Sequence, residues 1–287
     1  MTAVTDDGPA VPRASGTPAS GELGKRLVSA IVMASLAIAA VVLGGWPFLL
    51  FWAAAAIGVF WEWSAMTGGG VVAARAAGIA ALAAAALAAG FGQFFIALAA
   101  LAAGVAGMAG AAGSRHRIWR AAGVAYAGIV LLAPVVLRRD HDFGLVAILF
   151  LFAVVWSTDV LGFFVGRAIG GPRLAPPVSP NKTWSGACGG ALGAVVAGVC
   201  VIFAAGSMAV VPAAAVALVL SVASQGGDLF ESAVKRRFGV KDTSHVIPGH
   251  GGLMDRLDGF IAASAVAALV GVMRGGLDAP ARGFLQW

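Results

Sequence analysis

Residues 143–166 read FGLVAILFLFAVVWSTDVLGFFVG and carry a single charged side chain, Asp159. A membrane-crossing helix needs about 20 mostly apolar residues, and a helix that is apolar on every side must lie in lipid or in a large core. The rest of the chain decides between those settings. Of its 287 residues 60% are hydrophobic and 11% charged, and the mean hydropathy is +0.93, far from the balance of water-soluble domains. The runs flanking 143–166 repeat its character. Nine are expected: Leu27 to Leu43, Trp46 to Met66, Val71 to Ala89, Phe94 to Ala112, Ala121 to Leu137, Phe143 to Val165, Ala187 to Ala205, Val210 to Arg237 and Leu257 to Met273. The fold class is an all-α integral membrane protein, a polytopic bundle of about nine transmembrane helices. Ala and Gly flatten the hydropathy profile, so eight or ten spans remain open.

Basic residues favour cytoplasmic loops. With the N-terminus inside and nine spans, 15 of the 19 Lys and Arg fall on the cytoplasmic side. Only Arg138, Arg139, Arg274 and Arg282 fall outside. The excess basic charge thus belongs to one face and suits anionic lipid headgroups rather than nucleic acid. Residues 1–26, rich in Pro, Gly, Ser and Thr, read as a disordered cytoplasmic tail. Residues 27–287 read as one membrane domain whose active-site half covers about 156–260. No cleaved leader is expected, because the first apolar run starts late and eight more follow. Trp46, Trp52, Trp61 and Trp63 read as interfacial anchors. Cys188 and Cys200 read as small buried hydrophobes. Glu62, among the tryptophans, reads equally as a partner for an arginine or as a functional group.

Three polar constellations interrupt the apolar background. In SVASQGGDLFESAVKRR (221–237), a helix would place Ser221, Ser224, Gln225, Asp228, Glu231, Ser232 and Lys235 within about 120° of one another. Asp228 sits beside Leu229 and Phe230, and an ionisable group in an apolar span marks a functional site by default. Asp159 shares a face with Gly162 and Gly166, where small residues admit a neighbouring helix, so its side chain is expected to point into the bundle. The segment GRAIGGPRLAPPVSPNKTWSGACGG (166–190) is too rich in Pro and Gly to span. It carries Arg167, Arg173, Ser179, Asn181, Lys182 and Thr183 to a helix entrance, which suits an oxyanion or phosphate.

Charge is densest in KRRFGVKDTSHVIPGHGGLMDRLD (235–258). Lys235, Arg236, Arg237 and Lys241 supply cations, PGHGG supplies backbone N–H groups, and Asp255 and Asp258 stand at i and i+3. Carboxylates beside cations and a glycine turn suggest a metal-bound polyphosphate. Mg²⁺ is held by one or two carboxylates plus substrate phosphates, while Lys and Arg neutralise the remaining charge. His245 and His250 are open as ligands or bases, and the spacing does not favour zinc.

Ser232, Lys235, Arg236, Lys241, Asp242, Pro248, His250, Gly251, Gly252, Asp255, Arg256 and Asp258 form the pattern S-x-x-K-R, K-D, P-x-H-G-G-x-x-D-R-x-D. This pattern resembles the signature of the phosphatidate cytidylyltransferases (CDP-diacylglycerol synthases). SPNKTWSGACGG, GGDLFESAVKR and Asp159 with its two glycines resemble further segments of that family, so the likeness runs from about Asp159 to Asp258. The resemblance implies a membrane enzyme that forms CDP-diacylglycerol and pyrophosphate from CTP and phosphatidate, with Mg²⁺ or a pair of cations. It implies catalytic roles for Asp228, Lys235, Asp255 and Asp258, and metal ligation by Asp228, Asp255 and Asp159. Substrate contacts would fall to Ser179, Asn181, Lys182, Thr183, Ser232, Arg236, Lys241, His250, Gly251, Gly252 and Arg256. Such an enzyme would sit in the inner membrane with its site facing the cytoplasm. A homodimer is compatible with the resemblance, although Ala- and Gly-rich helices pack equally well within one chain.

Two rivals stand beside it. DRLDGFIAA partly imitates the D-x-x-D-G-x-x-A-R motif of CDP-alcohol phosphotransferases, but position 263 is Ala where that motif needs Arg. A cation-coupled transporter would also bury Asp159 and Asp228 at broken helices, yet the acidic residues gather at one face beside a basic loop.

Overall fold

The computed structural model describes residues 20–68, 72–110, 116–244 and 251–287. His245, Pro248, His250 and Arg115 lie outside the described residues, as does most of the stretch read as a tail. Ten helices and one hairpin make up the described chain: α1 (Ser20–Leu43), α2 (Gly45–Met66), α3 (Val72–Gly90), α4 (Phe94–Gly110), α5 (Arg117–Arg138), α6 (Gly144–Ile169), β1 (Arg173–Ala175), β2 (Ser179–Thr183), α7 (Trp184–Ala204), α8 (Val210–Arg237), α9 (Met254–Gly275) and α10 (Pro280–Leu285). Nine of these helices coincide with the nine expected runs. By length and composition seven can cross a membrane, namely α2, α3 and α5 to α9, while Val28–Leu43 and Phe94–Gly110 are shorter apolar helices. The chain is therefore a multi-pass membrane protein. Helix α1 begins at Ser20, ahead of Leu27. The Pro- and Gly-rich segment read as a loop contains the antiparallel hairpin, with Arg173 opposite Thr183 and Ala175 opposite Ser179.

Glycine sets the contact between α6 and α7. A Cβ at Gly190 would stand 2.6 Å from the Thr158 carbonyl oxygen, and one at Gly186 would stand 2.6 Å from the Gly162 carbonyl oxygen. Helices α6 and α7 thus meet backbone to backbone, as the Gly162 and Gly166 pattern predicts. Aromatic rings join the remaining helices. Trp52 of α2 stacks on Phe260 of α9 with ring centroids 4.9 Å apart, and Phe260 also meets Phe152 of α6 at 5.3 Å. Two of the four expected interfacial tryptophans are therefore core residues, since Trp52 and Trp63 are each 1% exposed. Trp63 also spends its indole N–H on the Trp119 carbonyl at 2.7 Å. Trp46 and Trp61 remain on the surface. Cys188 and Cys200 are exposed free thiols on α7 rather than buried ones.

The two ends of the bundle hold different charges. At one end Arg138 Nε donates to the Val41 carbonyl at 2.8 Å, and Arg139 covers the Phe94 ring. Arg274 donates to the Gly283 carbonyl at 2.6 Å, and Arg282 pairs with Asp142 at 3.1 Å. The four basic residues assigned to the outer face therefore share one end. Glu62, Lys182, Lys235 and Asp255 stand at the termini of α2, β2, α8 and α9 that form the other end.

Candidate active site

The polar stripe of α8 faces inward. Ser221, Ser224 and Glu231 are at most 1% exposed, whereas Phe230 on the flank and Arg236 and Arg237 beyond it are exposed. Buried hydroxyls and amides need partners, and those of Ser221 and Gln225 cross to two helices. Thr158 Oγ1 donates to Ser221 Oγ at 2.8 Å, and Gln225 Nε2 donates to the Ala187 carbonyl at 3.3 Å. Gly227 admits α9, since a Cβ there would stand 2.6 Å from the Asp258 carbonyl oxygen. One glycine in the stripe thus brings the second acidic helix against the first.

Carboxylates then outnumber cations. Lys182, at the end of β2, pairs with Asp228 Oδ2, while Ser232 reaches Asp228 Oδ1 at 3.4 Å. Asp159 lies within the fields of Asp258, Asp228, Lys182 and Arg256. Its side chain is accessible rather than packed inside, because the glycines that follow it on the same face, not the aspartate, make the contact with α7. Lys235 Nζ stands 2.6 Å from Asp255 Oδ1 and 3.4 Å from Glu231 Oε1. Neither carboxylate oxygen of Glu231 has a hydrogen-bond partner among the described residues, and Asp258 adjoins it. Asp159, Asp228, Glu231, Asp255 and Asp258 thus stand with Lys182, Lys235 and Arg256, five acidic side chains to three basic ones.

Carboxylates gathered in this way on facing helices fit a hard divalent cation. Among the described residues no three His, Cys, Asp or Glu side chains are gathered as a ready-made metal cage. Asp228 is held by Lys182 and Ser232, and Asp258 Oδ1 accepts from Gly259 N at 2.8 Å. Asp255 is differently placed. Its Oδ2 accepts from Thr243 N at 3.1 Å, Thr243 Oγ1 at 3.0 Å and Gly252 N at 2.9 Å, and Oδ1 is held by Lys235.

Glu62 organises the same segment from α2. It is 2% exposed. Its Oε1 accepts from Ser244 Oγ at 2.6 Å and Leu253 N at 2.8 Å, and its Oε2 accepts from Thr243 Oγ1 at 3.1 Å and Met254 N at 2.7 Å. The backbone N–H groups of Gly252, Leu253 and Met254 are therefore spent on the chain's own carboxylates rather than offered to a ligand. Gly251 supplies the positive φ of +81° that turns the chain into α9. Side chains belong nowhere at position 252, where a Cβ would stand 2.8 Å from Glu62 Oε2.

The other expected contacts divide by role. Thr183 is the N-cap of α7, its Oγ1 accepting from Gly186 N at 3.1 Å. Ser179 and Asn181 lie on β2, and the Asn181 carbonyl accepts from Arg173 at 3.2 Å. Arg236, Lys241 and Arg256 are exposed near the acidic cluster's end of the bundle. Sequence reading missed Thr243 and Ser244, which carry no charge to draw notice, and left Glu62 undecided because its partners lie in another part of the chain.

The profile of the Cytidylyltransferase family matches residues 24–273. The chain belongs to that family. Among curated relatives, the phosphatidate cytidylyltransferase of Brucella suis is 50% identical over 175 residues, which is 60% of this chain and 63% of that protein. The Brucella abortus protein of the same name is 53% identical over 161 residues, 55% of this chain and 58% of its own. In Bacillus subtilis the corresponding figures are 40% over 139 residues, 47% and 51%. The matched stretch therefore spans between about half and two thirds of these relatives. In this member of the family, the fold brings together acidic and basic side chains of α6, β2, α8 and α9.

Proposed function

We propose that the chain transfers the cytidylyl group of CTP to phosphatidate, forming CDP-diacylglycerol and pyrophosphate, with the site opening to the cytoplasm and to the inner leaflet. The observation that carries this reading is the meeting of Lys182, Lys235 and Arg256 with an excess of carboxylates at one end of a membrane bundle. The names of the relatives point the same way. A phosphate oxygen of the lipid would attack the α-phosphorus of CTP in line. The new bond joins the two phosphates, the α–β anhydride breaks, and its electron pair leaves with pyrophosphate. Two anions must approach each other, so positioning and positive charge matter more than covalent help.

Lys182 and Arg256 are placed to neutralise phosphates beside Asp228 and Asp159. Lys235 keeps Asp255 and Glu231 from adding to the repulsion. When bound, Mg²⁺ would draw charge from the nucleotide phosphates, held by Asp228 and Asp159 with Asp258 in support. Asp255 can join them only by giving up Lys235. The N-terminus inside, a cell inner-membrane location and any pairing of two copies belong to the same proposal.

The test is direct. Purified chain with Mg²⁺, CTP and phosphatidate should release pyrophosphate and yield CDP-diacylglycerol. EDTA should stop the reaction, and diacylglycerol, which lacks the attacking phosphate, should not replace phosphatidate. Turnover that survives EDTA or accepts diacylglycerol contradicts the mechanism, and a lack of product with phosphatidate contradicts the function.

A further inference from the structure

A buried carboxylate that serves only to start a helix needs the free N–H groups of that helix's first turn. Glu62 has them, from Leu253 and Met254. It also holds Thr243 and Ser244, which contribute nothing to the start of α9. One side chain from α2 therefore grips the α8–α9 connection on both sides of residues 245–250. All four donors are neutral, so the negative charge stays whole. It is stabilised by charge-assisted hydrogen bonds and by the positive end of the α9 dipole.

We propose that Glu62 is a positioning residue for the reaction centre, holding the connection between α8 and α9 so that Asp255 meets Lys235. The inference rests on the functional reading above. The links are short and consecutive. Thr243 Oγ1 is 3.1 Å from Glu62 Oε2 and 3.0 Å from Asp255 Oδ2. The hydroxyl has one proton and donates to one carboxylate at a time, but the Thr243 backbone N–H holds Asp255 in either case. Gly252 N adds a second hold on the same oxygen, and the next bonds in the chain fix Leu253 and Met254 to Glu62. Asp255 Oδ1 is then left facing Lys235 Nζ at 2.6 Å. Without the charge on Glu62, the connection loses its anchor and the lysine its aim. Lys235 would then swing between Glu231 and Asp255.

Glu62→Gln isolates the charge, because the amide presents a donor where two of the four donors now point. Val59→Ala serves as a control. Val59 is a fully buried core residue of the same helix and has no polar side-chain atom to bond these groups, so it should lower Tm while leaving turnover unchanged. In full-length detergent-purified protein, Glu62→Gln should speed amide exchange across residues 243–255 and leave residues 261–272 of α9 at the wild-type rate. It should lower kcat by about tenfold to a hundredfold, the scale on which small misplacements cost turnover, at a Tm no lower than that of Val59→Ala. Glu62→Asp, which keeps the charge, should recover part of the loss. Wild-type exchange at 243–255 would overturn the proposal, as would a kcat loss no greater than that of Val59→Ala. If the wild-type chain makes no product, the functional reading fails, while the exchange measurement still decides whether Glu62 holds the connection.

Discussion

The Lys182 ammonium, delivered by the end of a β-hairpin, pairs with Asp228 Oδ2 from the polar face of α8. Both side chains remain about one-third accessible or less, at 27% and 32%, so the pair is open to competition from an incoming anion. A partly exposed pair of this kind contributes little to stability, about 0–1 kcal/mol.

Lys182→Ala and Asp228→Asn should therefore leave Tm within a few degrees of wild type yet reduce turnover by about a hundredfold or more, as removing a fixed charge from a phosphoryl-transfer site does. Pyrophosphate release and a thermal melt on the same preparations check both statements. A large drop in Tm for either variant would mean that the pair is a structural strut.

Lys235 and Arg237 should separate cleanly. Lys235→Ala leaves Asp255 and Glu231, 8% and 1% exposed in their side chains, without their cation, a loss of about 3–5 kcal/mol by precedent for breaking buried pairs. Both Tm and turnover should fall. Arg237 is exposed and covers the Trp119 ring at 5.3 Å, so Arg237→Ala should cost about 0.5–1 kcal/mol and keep turnover within about twofold. Equal losses at the two positions would show that the inward face of α8 has been misassigned.

Gly190→Ala and Gly107→Ala should move stability in opposite directions. Alanine favours a helix over glycine by about 1 kcal/mol, and at Gly107 nothing lies within 4 Å of the new methyl. At Gly190 the methyl meets the Thr158 carbonyl at 2.6 Å and must push α6 and α7 apart, at a cost of about 1–3 kcal/mol. Thermal melts should show Tm falling for the variant on α7 and rising for the one on α4.

A reporter fused at Arg173 should read cytoplasmic, and one fused after Trp287 should read external. Arg173 begins the hairpin at the end that holds Lys182, while Trp287 lies under Arg274 at the other end, 3.7 Å from ring centroid to guanidinium carbon. Finding both reporters on one side would contradict the arrangement.

Spans were legible because burial in lipid demands long apolar runs, and α5 and α8 begin and end within a few residues of where the runs do. The α8 stripe was legible for a related reason. Polar residues recurring at helical spacing inside an apolar run share one face, and that face has to turn away from lipid. Trp52 and Trp63 were misread because an indole suits an interface and a core equally, and only tertiary contacts decide. The hairpin was missed because strands of three and five residues, the second with a proline inside it, give no alternation to detect. Asp255 was legible as a site residue, but its hydrogen-bond partners were not. Its hydrogen bonds to Thr243 and Gly252 depend on a turn, and the turn depends on Glu62, far away in sequence.

Chain order gives that last bond a history. The four donors to Glu62 stand 181 to 192 residues after it. At about 5–20 residues per second of synthesis, α2 waits ~10–40 s in the bilayer before they are made. During that interval the carboxyl has none of these four partners. The arrival of α9 then completes the set. A chain that stalls before residue 243 leaves all four bonds unmade, so the joint between the second helix and the last long one can form only when synthesis is nearly done.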